Sequence, residues 1–286
     1  MPIDYERIMA MKNFGQKISY ADREAMLYAY CIGMGADPMD ERELAFVNEA
    51  TATPRPLKVV PTFATVVAYS ATVGELNYNR LMEVDGERDI TFYKPLAAAA
   101  HITADSSVIA VYDKGKDKGA VIRTQHVLKS NDGEPLATVV GSFFARGDGG
   151  FGGPAGNQLK PHLMPSRTPD KTIEIATRPD QALIYRICGD RNPLHSDPEY
   201  ARHAGFPKPI LHGMCTYGIT CRGILQTYAD YDPAAFRRHA ARFSAPVYPG
   251  ETLTLEMWKD GDVISFEAKV KARGVTVIKN GMTVLG

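Results

Sequence analysis

Six of the ten residues from Gly147 to Gly156 are glycine, a composition that no helix or strand of a packed core tolerates. Ordering glycine costs more backbone entropy than ordering any other residue. The polar tract that follows carries Pro161, Pro165 and Pro169 and is equally unsuited to a regular element. Residues 147–170 therefore read as a linker between a first half, 1–146, and a second half, 171–286.

The halves share a pattern. Ala25-Met26-Leu27-Tyr28 opens a helix running to Cys31-Ile32-Gly33, and Ala182-Leu183-Ile184-Tyr185 opens one running to Cys188-Gly189. Asp37-Pro38 follows the first helix where Asn192-Pro193 follows the second, and Phe92-Tyr93-Lys94-Pro95-Leu96 matches Phe243-Ser244-Ala245-Pro246-Val247 as a strand start. The offsets are 157, 155 and 151 residues, nearly constant and in one order, as a duplicated unit requires. Each half reads as helices followed by strands. In the second, Gly213 to Tyr228 is a long helix with Met214, Tyr217, Ile219, Ile224 and Leu225 on apolar positions. Leu253 to Trp258, Val263 to Val270 and Val275 to Ile278 are strands, with hairpin signals at Asp260-Gly261 and Asn280-Gly281. The first half repeats this with Val108 to Tyr112, Ala120 to Leu128 and Leu136 to Ala145, and Asn131-Asp132-Gly133 turns between the last two. The fold class is α+β, with antiparallel sheets buried against helices.

Composition narrows the function. Lysine plus arginine equals aspartate plus glutamate, at 33 each, so the basic excess of a nucleic-acid or membrane-surface protein is missing. No run reaches the roughly 18 apolar residues of a membrane span. The N-terminal Met1-Pro2-Ile3-Asp4-Tyr5-Glu6-Arg7 is too acidic for a signal peptide, and the cytoplasm is the expected location. Cys31, Cys188, Cys215 and Cys221 have no zinc-ligand spacing and read as reduced, mostly buried thiols. No metal or cofactor is expected.

The segment Tyr185-Arg186-Ile187-Cys188-Gly189-Asp190-Arg191-Asn192-Pro193-Leu194-His195 concentrates chemistry. Gly-Asp alone would be an ordinary helix stop. Here a carboxylate and an imidazole sit five residues apart across an Asn-Pro break, and Pro193 disfavours helix at Asn192. A turn brings Asp190 and His195 round to one small site, which a continuous helix would not. The string Tyr-x-x-x-Gly-Asp-x-Asn-Pro-x-His resembles the signature of the MaoC-like (R)-specific enoyl-CoA hydratases, the type 2 hydratases. Leu211-His212-Gly213-Met214 is similar to the family's second signature. The layout as a whole resembles the hydratase portion of peroxisomal multifunctional enzyme type 2.

The resemblance implies a double hot-dog fold, two repeats each with a long helix wrapped by an antiparallel sheet, and a homodimer. It implies an acyl-CoA substrate, reversible hydration of trans-2-enoyl-CoA to the (3R)-3-hydroxy product, and no cofactor. Asp190 and His195 become the acid/base pair, Asn192 fixes water and substrate, and the Gly213 N–H faces the thioester oxygen. Asp85, Gly86, Lys114, Arg191, Pro193, Leu194 and Phe243 fall at substrate-contacting positions. The family usually carries His-Gly where this chain has Asp85-Gly86, so only the backbone role of Gly86 follows directly.

The chemistry also stands without the family. Hydration needs a hydroxide equivalent at Cβ and a proton at Cα, and two groups of unlike pKa around one water supply both. Negative charge grows on the thioester oxygen, and Gly213 begins a helix whose free N–H groups favour an anion. His212 reads as structural. His101, His126, His162, His203 and His239 read as surface or packing residues. A hot-dog acyl-CoA thioesterase is one alternative, and a non-catalytic acyl-CoA-binding protein another. The first half lacks the histidine and reads as acyl-binding, with Gly33, Gly35 and Ala36 leaving room for an apolar tail.

Overall fold

The computed structural model describes residues 3–50, 55–78, 82–156 and 160–286. Met1 and Pro2 of the N-terminal stretch and residues 157–159 of the linker lie outside them. The described residues form ten strands: β1 (Lys12–Tyr20), β2 (Glu83–Phe92), β3 (Ala100–Asp113), β4 (Ala120–Lys129), β5 (Pro135–Ala145), β6 (Lys171–Ala176), β7 (Phe236–Phe243), β8 (Thr252–Asp260), β9 (Val263–Val270) and β10 (Val275–Leu285). Seven α-helices accompany them: α1 (Tyr5–Met9), α2 (Asp22–Cys31), α3 (Glu41–Leu44), α4 (Ala64–Tyr69), α5 (Gln181–Tyr185), α6 (Pro198–His203) and α7 (Gly213–Tyr228).

All the strands join one antiparallel sheet in the order β1-β3-β4-β5-β2-β7-β10-β9-β8-β6. From either edge inward the chain order is the same, first strand, third, fourth, fifth, second. The two central strands pair with Asp89 opposite Ala240, residues separated by the 151 positions that also separate Phe92 from Phe243. A pseudo-twofold therefore passes between β2 and β7. It also brings Tyr28 against Tyr185, with ring centroids 6.2 Å apart, and places the Cys31 and Cys188 sulfurs 3.4 Å apart. Both pairs carry the offset of 157 residues seen in the sequence. One apolar core runs through both halves, from Tyr28 and Phe63 to Tyr217 and Phe266.

Helix α7 is apolar nearly all round, as a helix buried between sheet and helices must be. Its small residues set the packing distance. A Cβ on Gly218 would stand 2.6 Å from the Tyr28 hydroxyl, and one on Gly223 would stand 2.5 Å from Leu255. The corresponding helix of the first half, α4, is only six residues long, where the double hot-dog expectation had a long helix in each repeat.

Three strand expectations are corrected. Phe92 and Phe243 close β2 and β7 rather than opening strands. Asn280-Gly281 makes no hairpin, because β10 runs on to Leu285 and absorbs the pair as a bulge with Asn280 at φ +53°. Helices do not all come first: the edge strand β6 precedes every helix of its half, and β1 precedes α2, α3 and α4, following only the five-residue α1. Asp260-Gly261 does turn between β8 and β9. Between Asp148 and Asp170 the described linker residues are irregular. Side chains take up its amides: the Asp113 carboxylate accepts from the N–H groups of Gly150 and Gly152, at 2.8 and 2.7 Å.

Candidate active site

The segment from Tyr185 to His195 folds as its residues dictate. Gly189 ends the helical turn at φ +127°, a value open to glycine and strained for other residues. Asn192 then caps a short turn, its side-chain oxygen accepting from the Leu194 N–H at 3.0 Å, with Pro193 in the first position of that turn. Leu194 is buried in a small satellite core with Ala201, Ala204 and Ile210. That anchor sets the direction of His195.

His195 is 8% exposed and held on three sides. Its Nδ1 lies 2.9 Å from the Ile210 carbonyl, which accepts only, so Nδ1 carries the proton and Nε2 presents a lone pair. The ring stacks on His212 with centroids 3.7 Å apart. Burial lowers the His195 pKa below the ordinary imidazole value, against the opposing pull of Asp190 and Asp85. His212 is fully buried, and its Nε2 donates to the Asp190 backbone carbonyl at 3.1 Å. The structural reading of His212 fits this arrangement: it ties α7 to the loop carrying Asp190 and supports the His195 ring. Asp190 accepts from the Asn192 N–H at 3.1 Å and the Tyr69 hydroxyl at 3.4 Å. Ligand-capable atoms of Asp190, His195 and His212 lie within 4.8 Å of one another. With His195 Nδ1 and His212 Nε2 protonated, the lone pairs left in the cluster are those of the Asp190 carboxylate, His195 Nε2 and His212 Nδ1, the last buried and without a hydrogen-bond partner among the described residues.

Gly213 heads α7, where a first-turn N–H has no partner within the helix. A Cβ there would stand 2.8 Å from Asp85 Oδ2 and 3.4 Å from the Phe243 ring. Asp85 arrives by a bulge: the register of β2 against β5 slips between Asp85 and Glu87, and Gly86 lies so close to Ser142 that a Cβ would sit 2.6 Å from its hydroxyl. A bulge re-aims a side chain, and here Asp85 is turned toward Gly213 and the Asp190–His195 pair. Arg88 donates to Asp85 at 3.0 Å. Burial raises the Asp85 pKa, with Arg88 opposing and the charge of Asp190 adding to the rise.

A cavity of about 1110 Å³ joins these groups, and every site residue named from the sequence lines it. Asn192, Arg191, Pro193 and Leu194 line it beside Asp190 and His195, with Arg191 and Pro193 exposed. Lys114 is at a distant part of the lining, its ammonium donating to the Ala155 carbonyl at 3.0 Å. Tyr69 and Arg88 were missed by sequence reasoning. Tyr69 sits on a helix of the other half, with no local motif to mark it.

The cavity extends over the first half, where Thr65, Ala68, Ala71 and Val73 face Val139 and Phe143 across it. It does so because α4 stops at Tyr69, leaving the inner sheet face uncovered. The small residues singled out for this role do not line it. A Cβ on Gly35 would stand 2.8 Å from Val47, and one on Gly33 would stand 2.9 Å from Arg222. They make room for packing, and the Glu43–Arg222 ion pair at 2.8 Å closes that region. The pseudo-twofold mate of the site is plugged. Phe236 stands where Asp85 stands, 151 residues on, and packs edge-on against Phe92, leaving a space of about 20 Å³.

Two family models match, the MFE-2 hydratase 2 N-terminal domain over residues 18–147 and the MaoC like domain over residues 162–281. The chain is 37% identical over 297 residues to the enoyl-CoA hydratase ChsH3 of Mycobacterium tuberculosis, covering 100% of this chain and 99% of that one. It is 38% identical to mouse peroxisomal multifunctional enzyme type 2, over 92% of this chain and 36% of that longer protein. A MaoC-like dehydratase from Phytophthora capsici superposes with a TM-score of 0.86 at 29% identity, covering 99% of this chain and 98% of that one. The two models span both halves of the chain and the relatives match along its length: the chain belongs to the MaoC-like hydratase 2 family, with one hydratase 2 N-terminal domain and one MaoC-like domain in a double hot-dog fold.

Proposed function

We propose that this protein is a hydro-lyase that adds water across the double bond of a trans-2-enoyl-CoA and forms the (3R)-3-hydroxyacyl-CoA, or runs the reverse. The observation that carries the reading is the bare Nε2 of a buried, neutral His195 beside the Asp190 carboxylate, across a cavity from the Gly213 N–H. His195 takes a proton from water while Asp190 accepts a hydrogen bond from the O–H that the water keeps and orients the oxygen toward Cβ. The new C–O bond forms as the π electrons move to Cα and the thioester oxygen gains charge. The Gly213 N–H and the positive end of α7 stabilise that charge. The imidazolium then returns its proton to Cα, so one water is consumed and the enzyme is regenerated.

Asn192 offers its side-chain NH₂ to substrate or water, because its oxygen is engaged with Leu194. In this reading Lys114, in the cavity lining, binds the CoA phosphates, and Phe243 and Gly86 line the thioester. Residues 1–146 supply the acyl chamber and 171–286 the chemistry, with 147–170 crossing between them. Curated relatives carry the name enoyl-CoA hydratase 2 or peroxisomal multifunctional enzyme type 2, which supports the substrate class. A homodimer and a cytoplasmic location belong to the same proposal; among the described residues no helix is long and apolar enough to cross a membrane.

The test is the loss of enoyl absorbance with crotonyl-CoA and longer enoyl-CoAs, with product stereochemistry read by chiral chromatography. Release of free thiol without hydration would instead identify a thioesterase, and a predominantly 3S product would reject the stereochemical assignment. Asp190→Asn and His195→Gln should each cost at least about 10²-fold in kcat while the protein stays folded. Near wild-type turnover in either variant would remove the acid/base assignment.

A further inference from the structure

The floor of the acyl chamber is polar where a plain alkyl chain would want it apolar. Arg88 on β2, Gly141 on β5 and Thr124 on β4 form one row across the inner sheet face, paired in register. Gly141 has no side chain in this row, and the Arg88 guanidinium lies over it. His126 stands in the next row, opposite Val139. All of these except Gly141 line the cavity. Arg88 and Thr124 are 8% and 2% exposed, and among the described residues Arg88 Nε and Thr124 Oγ1 have no hydrogen-bond partner. Unsatisfied buried polar atoms are costly and rare, and two in one cavity wall point to a partner from outside the chain.

The second half shows what such a row looks like when the protein completes it. His239 lies 151 residues beyond Arg88, on the matching strand. It is fully buried, yet both ring nitrogens are partnered, by Thr220 of α7 at 3.1 Å and Thr283 of β10 at 2.7 Å. Helix α7 supplies one of those partners. In the first half α4 ends at Tyr69, and among the described residues no α4 side chain hydrogen-bonds to Arg88 Nε or Thr124 Oγ1.

We propose that the chamber takes an acyl group bearing a neutral oxygen, a hydroxyl or a ketone, which Arg88 and Thr124 hold in place of the missing helix. A neutral oxygen fits better than a carboxylate. The charge of Arg88 is already paired with Asp85 at 3.0 Å, and a further anion would face both Asp85 and Asp190. Thr124 is uncharged, and His126, whose Nδ1 is engaged with Ser106 at 2.9 Å, is held neutral by burial and by the charge of Arg88. The inference specifies the substrate class of the hydratase reading and rests on it.

The two separate in one experiment. Calorimetric titration compares saturated acyl-CoAs of equal chain length, plain or with a ketone or hydroxyl at successive carbons of the distal chain. Hydration of crotonyl-CoA is assayed in parallel. At least one oxygenated isomer should bind about tenfold more tightly than the plain chain, equivalent to about 1.4 kcal/mol. Thr124→Val and Arg88→Met should each shrink that ratio at least about threefold. Equal or tighter binding of the plain chain than of every oxygenated isomer overturns the proposal, as does a ratio unmoved in Thr124→Val or a preference for a terminal carboxylate. An intact binding preference without hydration of crotonyl-CoA would sink the hydratase reading alone.

Discussion

Asp190 and His195 differ in what holds them. His195 is locked by a carbonyl, a stacked ring and a buried neighbour, while Asp190 is held by one amide and one phenol. The depressed pKa of His195 has a direct kinetic consequence. The proposed mechanism needs a neutral base, so activity should be lost as pH falls through the His195 pKa, which burial has moved below 6.5. The kcat/KM profile should stay flat through pH 6.5 and fall only on its acid side. Because Asp190 pulls that pKa upward, Asp190→Asn should shift the residual acid limb to still lower pH. A limb above 6.5 in the wild type would place another group in control. At Gly213 the prediction is steric. Gly213→Ala puts a methyl group 2.8 Å from Asp85 Oδ2 in the space assigned to the thioester. Turnover should drop about 10- to 10²-fold, while thermal unfolding, followed by circular dichroism, moves by no more than a few degrees.

At the scale of elements, the short α4 leaves room for the cavity in the first half. Where α7 fills its half of the sheet, α4 stops and the cavity begins. Each buried methylene is worth roughly 0.8 kcal/mol, so kcat/KM should rise with chain length from crotonyl-CoA upward until the chamber is filled. Ala71 is 5% exposed and lines that space. Ala71→Leu should depress long substrates about tenfold or more and spare crotonyl-CoA, in parallel steady-state assays. Gly35→Leu should behave differently from a chamber-filling change. Gly35 has φ +73° and no space beside Val47, so the substitution strains the fold. The expected result is a lower melting temperature and equal losses on all chain lengths.

Over the whole molecule, the single core makes the two halves one folding unit, and its buried histidines tie that unit to pH. His239 and His126 are pushed down to about 3 and about 4, and His212 lower still, chiefly by burial. The unfolded chain protonates these rings near 6.5 and the folded chain does not. Stability is therefore complete above that value and is lost as pH falls from 6.5 toward about 3. Each such histidine contributes a slope of about 1.4 kcal/mol per pH unit within its window. Denaturant midpoints measured at successive pH values should show the decline, and His239→Gln should reduce its slope. A stability profile flat between pH 6.5 and 4 would contradict the burial of these groups.

Local chemistry is what the sequence by itself determined. Glycine at 189, Asn-Pro at 192 and 193 and the apolar run from Gly213 each dictate their own backbone, so the turn and the start of α7 were legible from neighbours alone. Duplication was legible because nearly constant offsets survive in a linear string. The ends of β2 and β7 and the bulge at Asn280-Gly281 were misread, since pairing across the sheet sets them and local turn propensity does not. Only the tertiary structure brought Asp85, Arg88 and Tyr69 to the loop of Asp190 and His195, more than a hundred residues away. It alone showed that Gly33 and Gly35 are spent on packing and that Phe236 plugs the second site. Side-chain direction, bulge placement and the length at which a helix stops depend on what lies opposite in space, and the order of residues along the chain does not state that.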